Sequence, residues 1–309
     1  MSLWDLHVFS TEDNTHSKWV QTTSMVPEDL RDIYFLHEYA KVYEKEFQES
    51  AHLFKYGDDT NFVLMVGVKR SINVLSFCES QTTLLSEEYF DLSTPYGYGG
   101  PLIVCSDTEQ ESILFQGFRD HMHDYCIKNN IVSEFLRLHP KLANYKLFGA
   151  NDRLVKKNNT VWIDLNQSES DIFKNMKNDP RRSIRIASEN GVQVIKSELT
   201  QRDLSEFHRL YTTTMERLGA LPAYFFTLGY FEDLVDKIKD NISLFFSKWN
   251  DRNISAYMYV HGGDFIDLYL GGSDPLYWKL KGNPICLYTA ALWSKSNGFK
   301  YYHMGGGHG

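Results

Sequence analysis

The chain has 309 residues, of which 42% are hydrophobic and 23% charged, so it is long enough for two folded cores and too apolar for a disordered protein. Its formal net charge of −8 repels nucleic acids and anionic membranes, so a polyanionic ligand requires a local cluster of basic residues. The longest apolar run, Phe62–Val68, is too short to cross a bilayer, and the N-terminal residues lack the pattern of a signal peptide. We therefore expect a cytoplasmic protein without a transmembrane segment.

The cysteine and histidine spacings give no sign of a metal site. No Cys-x-x-Cys pair occurs among the four cysteines, Cys78, Cys105, Cys126 and Cys286, which is typical of buried free thiols in a reducing compartment. His121 and His123 are two residues apart on a predicted helix and face different directions. We expect no metal ion, no tightly bound cofactor and no catalytic cysteine.

The first half begins with a helix predicted over Pro27–Gln48 from its apolar periodicity. Two strands follow, "AHLFKY" and "NFVLMVGV", and the turn residues 57–60 between them predict a hairpin. A third strand is predicted at Asn73–Cys78.

Beyond these strands lies a segment rich in glycine and tyrosine, "DLSTPYGYGGP", at residues 91–101. Next, the pattern Thr108-Glu-Gln-Glu111 predicts a capping box that opens a helix ending near Asn129. Residues 131–138 then predict a buried strand.

The second half repeats this order. Its predicted elements are a strand at 161–165, a helix opening at 178–185, a helix capped by Thr200 and Asp203, a helix at 224–239, a hairpin of 242–249 with 254–260, a strand at 264–272, a helix at 284–296 and a strand at 299–304.

Each half therefore contains a helix, a hairpin, a strand, a glycine-containing loop, a helix and a strand. Hairpins followed by one crossover through a helix predict a mixed, mostly antiparallel sheet with a parallel pair. The fold class is thus α+β, with two domains of similar architecture at residues 1–150 and 151–309.

Four segments carry a resemblance to a known family: "DLSTPYGYGGP" at 91–101, "FLRLHP" at 135–140, "RRSIRIASENGV" at 181–192 and "YYHMGGG" at 301–307. Together, in this order, they resemble the FemAB/FemX-like peptidyl (aminoacyl) transferases, which are tandem GNAT-fold acyltransferases. The resemblance extends over nearly the whole chain. It implies two GNAT-like domains, each a mixed sheet flanked by helices.

Members of this family transfer an acyl group, often an amino acid from aminoacyl-tRNA, to an amine of a peptidoglycan precursor. The resemblance thus implies a nucleotide- or lipid-linked cell-envelope precursor as a partner, with aminoacyl-tRNA or acyl-CoA as the donor. The chain has no helical arm of the kind that some members insert in the second domain. It ends directly after a glycine run where relatives usually continue, which leaves open whether the second domain lacks its final segment.

In the first half, the candidate site residues surround the glycine loop. The N–H groups of Gly97, Gly99 and Gly100 are candidate donors to a carbonyl oxygen or phosphate, and the two tyrosines of the loop, Tyr96 and Tyr98, are candidate walls of a cleft. Asp91 is a candidate for holding the acceptor amine. A tight turn capped by this carboxylate explains the same residues without a site.

Strand ends supply the next candidates. Arg137 and His139 follow one predicted strand and His303 ends the corresponding strand of the second half, so either histidine is a candidate general base and Arg137 a substrate ligand. A hydrogen-bonded structural histidine is the competing interpretation.

An arginine cluster is the best candidate anion site of this acidic chain. Arg181, Arg182 and Arg185 lie within a turn and a half of a predicted helix, where residues i and i+4 share a face. A solvated helix face paired with local acids such as Asp179 is the competing interpretation.

Two weaker groups complete the candidates of the second half. Lys279 and Lys281, followed by Gly282, precede a helix N-terminus and predict either an acyl-CoA phosphate loop or a solvated basic loop. Candidate cleft residues near Pro222 are Tyr211, Arg217 and Tyr224, although core packing explains Tyr211 equally well.

Three functions remain open. The first is a FemX-like aminoacyltransferase acting on a cell-wall precursor, and the second is an acyl-CoA-dependent N- or O-acyltransferase acting on a sugar or peptide. The third is a non-catalytic ligand-binding relative, because the sequence shows no evident general base.

Overall fold

The computed structural model describes residues 4–73, 87–149 and 152–306. The chain forms two compact units, Met1–Lys156 and Lys157–Gly309. The sequence predicts a boundary a few residues earlier, at 150/151.

The first unit is a mixed sheet with helices on both faces. Its elements are β1 (Leu6–Ser10), α1 (Asp13–Ser24), a 3₁₀ turn (Ile33–Phe35), α2 (His37–Phe47), β2 (Ser50–Gly57), β3 (Phe62–Ser71), β4 (Phe90–Ser93), β5 (Leu102–Val104), α3 (Thr108–Lys128), β6 (Ile131–Phe135) and a 3₁₀ turn (Asn144–Leu147). The sheet order is β1-β2-β3-β4-β6, and β5 also pairs with β3. Only β4 and β6, which β5 and α3 separate along the chain, run parallel among the pairs of this sheet that the structure describes.

Strand β3 shows why the sheet is covered twice. Its even-numbered residues, such as Leu64 and Val66, pack in the core that contains Trp19 of α1, whereas Val63 and Met65 pack with Phe118 of α3. A continuous apolar run such as this one is typical of a strand buried on both faces. The β2–β3 hairpin is as predicted.

The N-terminal part of the first unit differs from the prediction. Residues 27–36 are not helical apart from the short 3₁₀ turn, and α2 begins only at His37, because Leu36 has an extended backbone (φ −73°, ψ 140°). Strand β1 and helix α1 were not predicted. The predicted strand at Asn73–Cys78 lies outside the described residues except for Asn73.

Strand β6, the second strand of the parallel pair, and the N-cap of α3 also differ from the prediction. Strand β6 ends at Phe135 and is not buried, since Val132 and Phe135 are mostly exposed at the edge of the sheet. The N-cap of α3 is Asp107, whose side chain accepts the N–H of Glu109 at 2.9 Å. A predicted cap at Thr108 is therefore one residue too late.

The second unit repeats this architecture. Its elements are β7 (Thr160–Asp164), α4 (Glu169–Asn175), α5 (Asn178–Glu189), β8 (Gln193–Lys196), α6 (Gln201–Leu218), a 3₁₀ turn (Pro222–Tyr224), α7 (Leu228–Ile238), a 3₁₀ turn (Lys239–Asn241), β9 (Ile242–Trp249), β10 (Arg252–Gly262), β11 (Phe265–Ser273), a 3₁₀ helix (Pro275–Leu280), α8 (Gly282–Ser296) and β12 (Tyr301–Gly306). The sheet order is β7-β12-β11-β10-β9-β8. Strands β11 and β12, joined by α8, are the parallel pair of the described sheet.

The two units thus confirm the predicted α+β class, with one parallel crossover in each mixed sheet. The predicted capping box is also present: the Thr200 side chain accepts the N–H of Asp203, and the Asp203 side chain accepts the N–H of Thr200. Helix α7 begins at Leu228 rather than Tyr224, because Thr227 caps it by accepting the N–H of Tyr230 at 3.1 Å. Among the helices of the described residues, none is both long and apolar enough to cross a membrane.

Candidate functional site

The glycine loop of the first unit continues the parallel strand pairing past the end of β4. The N–H of Gly99 donates to the carbonyl of Arg137 at 2.9 Å, and the N–H of His139 donates back to the carbonyl of Gly99 at 3.2 Å. Gly99 was predicted to offer its N–H to a substrate, but this N–H is used within the fold. The prediction is wrong at this position because the strand pairing extends beyond β6.

Two other glycines of the loop are required by geometry. Gly97 has φ +106° and Gly100 has φ +84°, a region that side chains disfavour. A Cβ at Gly97 would lie 2.2 Å from Cε1 of Tyr34, and one at Gly100 would lie 2.7 Å from Cδ2 of Leu138. The backbone is therefore packed directly against the ring of Tyr34.

Tyrosines and one arginine form the wall beside this loop. The hydroxyl of Tyr39 donates to the carbonyl of Tyr96 at 2.5 Å, which fastens α2 to the loop. The ring centre of Tyr34 lies 5.9 Å from that of Tyr98, and the guanidinium of Arg137 lies 6.0 Å from the ring centre of Tyr96. The structure thus brings together Tyr96 and Arg137, and Arg137 is exposed to solvent.

His139 is a hydrogen-bonded structural residue, which was the competing interpretation of this histidine. The ring is 2% exposed, and its Nε2 lies 2.7 Å from Oδ2 of the equally buried Asp32. Its Nδ1 accepts the N–H groups of Lys141 and Leu142 at 3.2 and 3.1 Å. Since Nδ1 is an acceptor, the proton sits on Nε2 and points to Asp32. No ring lone pair remains for a substrate proton, so the prediction of His139 as a general base is wrong.

A row of three charged side chains crosses the sheet next to the loop. Arg70 on β3 is directly opposite Asp91 on β4. On the other side of β3, Ser50 of β2 pairs with Lys69 in an antiparallel register. Glu49, which precedes Ser50, therefore lies opposite Arg70. The three residues share the face that α2 covers, because side chains alternate along a strand.

Within this row Asp91 is the counterion of Arg70. The guanidinium donates from Nε to Oδ1 at 3.1 Å and from Nη2 to Oδ2 at 2.5 Å, a two-pronged pair. This contact raises the pKa of Arg70. Asp91 was predicted to hold the acceptor amine, and its carboxylate is engaged with Arg70 instead.

Glu49 is the functional candidate that the sequence did not reveal. Burial raises the pKa of its carboxyl to about 7, with Arg70 opposing the change and Asp91 adding to it. Its Oε2 is buried and has no hydrogen-bond partner among the described residues. The phenol of Tyr43 on α2 faces the same group, and burial raises the pKa of Tyr43 as well. The strand register, which a sequence pattern does not give, brings Glu49 beside the Arg70–Asp91 pair.

In the second unit His303 is buried beside a carboxylate. Strands β11 and β12 pair Asp267 with His303, and Nδ1 of His303 lies 2.8 Å from Oδ1 of Asp267. The two side chains are 9% and 4% exposed. Strand β12 continues to Gly306, so His303 lies within this strand and not at its end as predicted, with its ring beside the buried carboxylate of Asp267.

The arginine cluster is on the exposed face of α5, as the spacing predicts. Arg181, Arg182 and Arg185 line a cavity of about 510 Å³ together with Asn178 and Asp179. Arg181 donates to the side-chain oxygen of Asn178. Within the part of the chain that the structure describes, none of the three arginines forms an ion pair with a carboxylate. Their positive charge is not neutralised by a protein carboxylate, which fits both an anion site and the competing interpretation of a solvated helix face.

The basic loop before α8 combines exposed lysines with a buried, tightly packed glycine. Lys281 is the N-cap with φ +57°, and no side chain caps the helix. Gly282 is required by packing, since a Cβ there would lie 2.9 Å from Cδ1 of Ile254, and its carbonyl accepts the hydroxyl of Ser247 at 2.8 Å. Lys279 and Lys281 are exposed.

Of the three residues predicted near Pro222, one belongs to the core. Tyr211 is 1% exposed and its hydroxyl donates to the carbonyl of Tyr224, so its prediction as a substrate ligand is wrong. The guanidinium of Arg217 lies over the ring of Trp278, 4.7 Å from its centre, and Tyr224 is 38% exposed. Trp278 joins Arg217 at a surface that the sequence pattern did not indicate.

The comparison with protein-family models matches part of the second unit. Residues 149–257 match the model of the FemAB family. This FemAB match contains α5 and its three arginines and ends within β10. A search of curated protein sequences finds no match.

Solved structures extend the similarity over the whole chain. The chain is similar to FemX, with a TM-score of 0.64, 14% identity, and coverage of 97% of this chain and 89% of FemX. It is also similar to a conserved protein of unknown function from Bacteroides thetaiotaomicron (TM-score 0.53, 10% identity, coverage 99% and 90%). A third similar structure is the C-terminal DUF2156 domain of an Agrobacterium fabrum protein (TM-score 0.51, 10% identity, coverage 94% and 77%). The FemAB-like resemblance and the tandem GNAT-like fold are thereby confirmed.

Proposed function

We propose that this chain is an acyltransferase of the FemAB type that moves an aminoacyl or acyl group onto an amine of a cell-envelope precursor in the cytoplasm. The observation that carries the proposal is the arginine cavity on α5, within the FemAB-matched residues. Three guanidinium groups without a carboxylate partner form a binding site for phosphate groups. Aminoacyl-tRNA and nucleotide- or lipid-linked precursors both carry such groups.

This transfer needs little chemical assistance from the protein. A neutral amine attacks the carbonyl carbon of an ester or thioester, the new C–N bond forms, and the bond to the leaving oxygen or sulfur breaks. Because the donor is already activated, holding the two substrates in line and stabilising the oxyanion supply most of the acceleration.

The nitrogen must lose a proton as the amide forms, and Glu49 is our candidate acceptor. A carboxyl whose pKa is near 7 holds and releases a proton at neutral pH, which is the property that a general base requires. Glu49 would take the proton from the attacking nitrogen and pass it to the leaving oxygen or sulfur, so that the enzyme is unchanged after one turnover. Arg70 attracts this carboxylate and Asp91 repels it, so the two residues tune its pKa from across the sheet.

Transfer of radiolabelled amino acids from charged tRNA to nucleotide- or lipid-linked muropeptides tests the main function. Wild-type protein is expected to label the acceptor, and the R181A/R185A variant is expected to lose at least about 10-fold in kcat/KM, because each charge-assisted hydrogen bond contributes about 1.5 kcal/mol or more. Arg202→Ala, an exposed arginine on α6 outside the cavity, is the control and should leave transfer unchanged. No labelling with any charged tRNA would exclude aminoacyl transfer.

One observation favours acyl-CoA as the donor instead. The N-terminus of α8 has no side-chain cap and is preceded by Lys279 and Lys281, so its N–H groups and two ammonium groups can bind a pyrophosphate. Calorimetric binding of CoA that weakens in the K279A/K281A variant would support this donor. A protein that binds the precursor but transfers from neither donor would be a ligand-binding relative.

A further inference from the structure

Helices α1 and α2 of the first unit bring together three side chains that can bind a metal ion. They are His16 in the first turn of α1, and His37 and Glu38 in the first turn of α2. Oε1 of Glu38 lies 3.3 Å from Nε2 of His16 and 3.9 Å from Nδ1 of His37. The three ligand atoms all lie within 4.8 Å of one another.

The ring of His37 is oriented as in a metal ligand. Its Nε2 lies 3.1 Å from the backbone carbonyl of Thr11. A carbonyl only accepts, so Nε2 carries the proton and Nδ1 keeps a lone pair. Metal-binding histidines commonly donate their second ring N–H to a backbone carbonyl in this way, which fixes both the tautomer and the ring orientation.

The lone pair of His37 is buried and has nothing else to bind. The residue is 4% exposed, and its Nδ1 has no hydrogen-bond partner among the described residues. An unsatisfied buried polar atom costs free energy, so such an atom facing two further ligands points to a missing partner. A hydrogen bond between His16 and Glu38 at the surface, without a metal ion, would not explain why the His37 ring turns its Nδ1 toward these two side chains.

We propose that His16, His37 and Glu38 bind one divalent transition-metal ion of the zinc class. Two imidazoles and one carboxylate are a ligand set typical of zinc, with the fourth position left to water. Ligand bonds of about 2.1 Å in a tetrahedral site place the ligand atoms about 3.4 Å apart. The two contacts of Glu38 are near this separation, so rotations of the half-exposed His16 and Glu38 side chains complete the site.

The ion would join α1 to α2 and thereby stabilise the first unit. This site is independent of the proposed acyl transfer and departs from the expectation, drawn from the sequence, that the chain binds no metal. Sequence spacing could not indicate it, because His16 and His37 are separated by a turn and a non-helical segment.

Calorimetry with ZnCl₂ on the untagged full chain at pH 7.5 tests the site. We expect saturable binding of one ion and a rise in the midpoint of thermal unfolding, with no binding of MgCl₂, which prefers oxygen ligands. His16→Ala should weaken zinc binding by about 10-fold or more, and Glu38→Gln should weaken it too. His123→Ala, an exposed histidine on α3, should bind zinc as the wild type does.

His16→Ala and Glu38→Gln change half-exposed residues, so both variants should fold even if a change at the buried His37 does not. Binding should also weaken at pH 5.5, where protons compete for the imidazoles. Absence of saturable zinc binding by the wild type would overturn the proposal. Wild-type affinity in the His16→Ala variant would overturn it equally, since the ion would then lie elsewhere.

Discussion

Glu49 is the residue whose behaviour depends most on the pH. Its pKa in the folded chain, about 7, is above the ordinary value of 4.5. The folded state therefore holds the proton more tightly than the unfolded state does. The contribution of Glu49 to the free energy of unfolding is fully present below about pH 4.5 and is lost as the pH rises through about 7.

We predict that Glu49→Gln stabilises the chain at pH 8 by about 2 kcal/mol and has little effect on stability at pH 5. Urea unfolding at the two pH values measures the difference. Glu28→Gln, an exposed glutamate of the same unit, should show no such pH dependence. In the transfer reaction, Glu49→Gln should lower kcat by about 100-fold and remove the rise of the rate near pH 7.

The two measurements on Glu49 separate two claims. A pH-independent stability difference would contradict the raised pKa. A stability difference of the expected sign, together with an unchanged pH-rate profile, would show that Glu49 is buried as described but is not the proton acceptor.

The loop at residues 94–101 is held by close backbone packing. At Gly97 an added methyl group would meet the ring of Tyr34 and require a disfavoured φ. We predict that Gly97→Ala lowers the free energy of unfolding by about 2 kcal/mol or more, the sum of backbone strain and overpacking. Chemical denaturation measures this loss.

Gly149→Ala is the matched control, because its added Cβ meets no atom within 4 Å. It should change stability by less than about 0.5 kcal/mol. Equal effects of the two substitutions would contradict the packing of Gly97 against Tyr34.

At the level of the elements, the sequence predicted the hairpins and the long helices, but not short elements such as β1, α4 and β8 or the irregular segment before α2. The β2–β3 hairpin follows from its turn residues, in which Asp58 accepts the N–H groups of Thr60 and Asn61 at 2.7 Å each. The segment before α2 was predicted as helix because its apolar spacing is helical. Asp32 decides its conformation, and the partner of Asp32 is His139, more than one hundred residues away.

The candidate site shows the same limit. The arginines of α5 could be predicted because residues i and i+4 share a helix face. The neighbours of Glu49 could not, since they depend on the pairing of three strands. Whether Gly99 offers its N–H to a ligand also depends on a strand that follows it by almost forty residues.

The chain as a whole consists of two units, each with its own core. Trp19, Leu53 and Leu64 belong to a core of the first unit, and Tyr259 and Tyr302 to one of the second. We predict that residues 1–156 and 157–309, produced separately, each unfold cooperatively in urea. A fragment that binds a hydrophobic dye and shows no cooperative transition would contradict the independence of its unit.

The central claim is that the chain forms an amide on an acceptor amine. Mass spectrometry of nucleotide- and lipid-linked muropeptides, after incubation with charged tRNA or acyl-CoA, tests this claim most directly. We predict that an acceptor gains the mass of one aminoacyl or acyl group on its amine, and that the R181A/R185A variant forms much less product while remaining folded. An acceptor of unchanged mass with every donor, in the presence of folded wild-type protein, would contradict the claim.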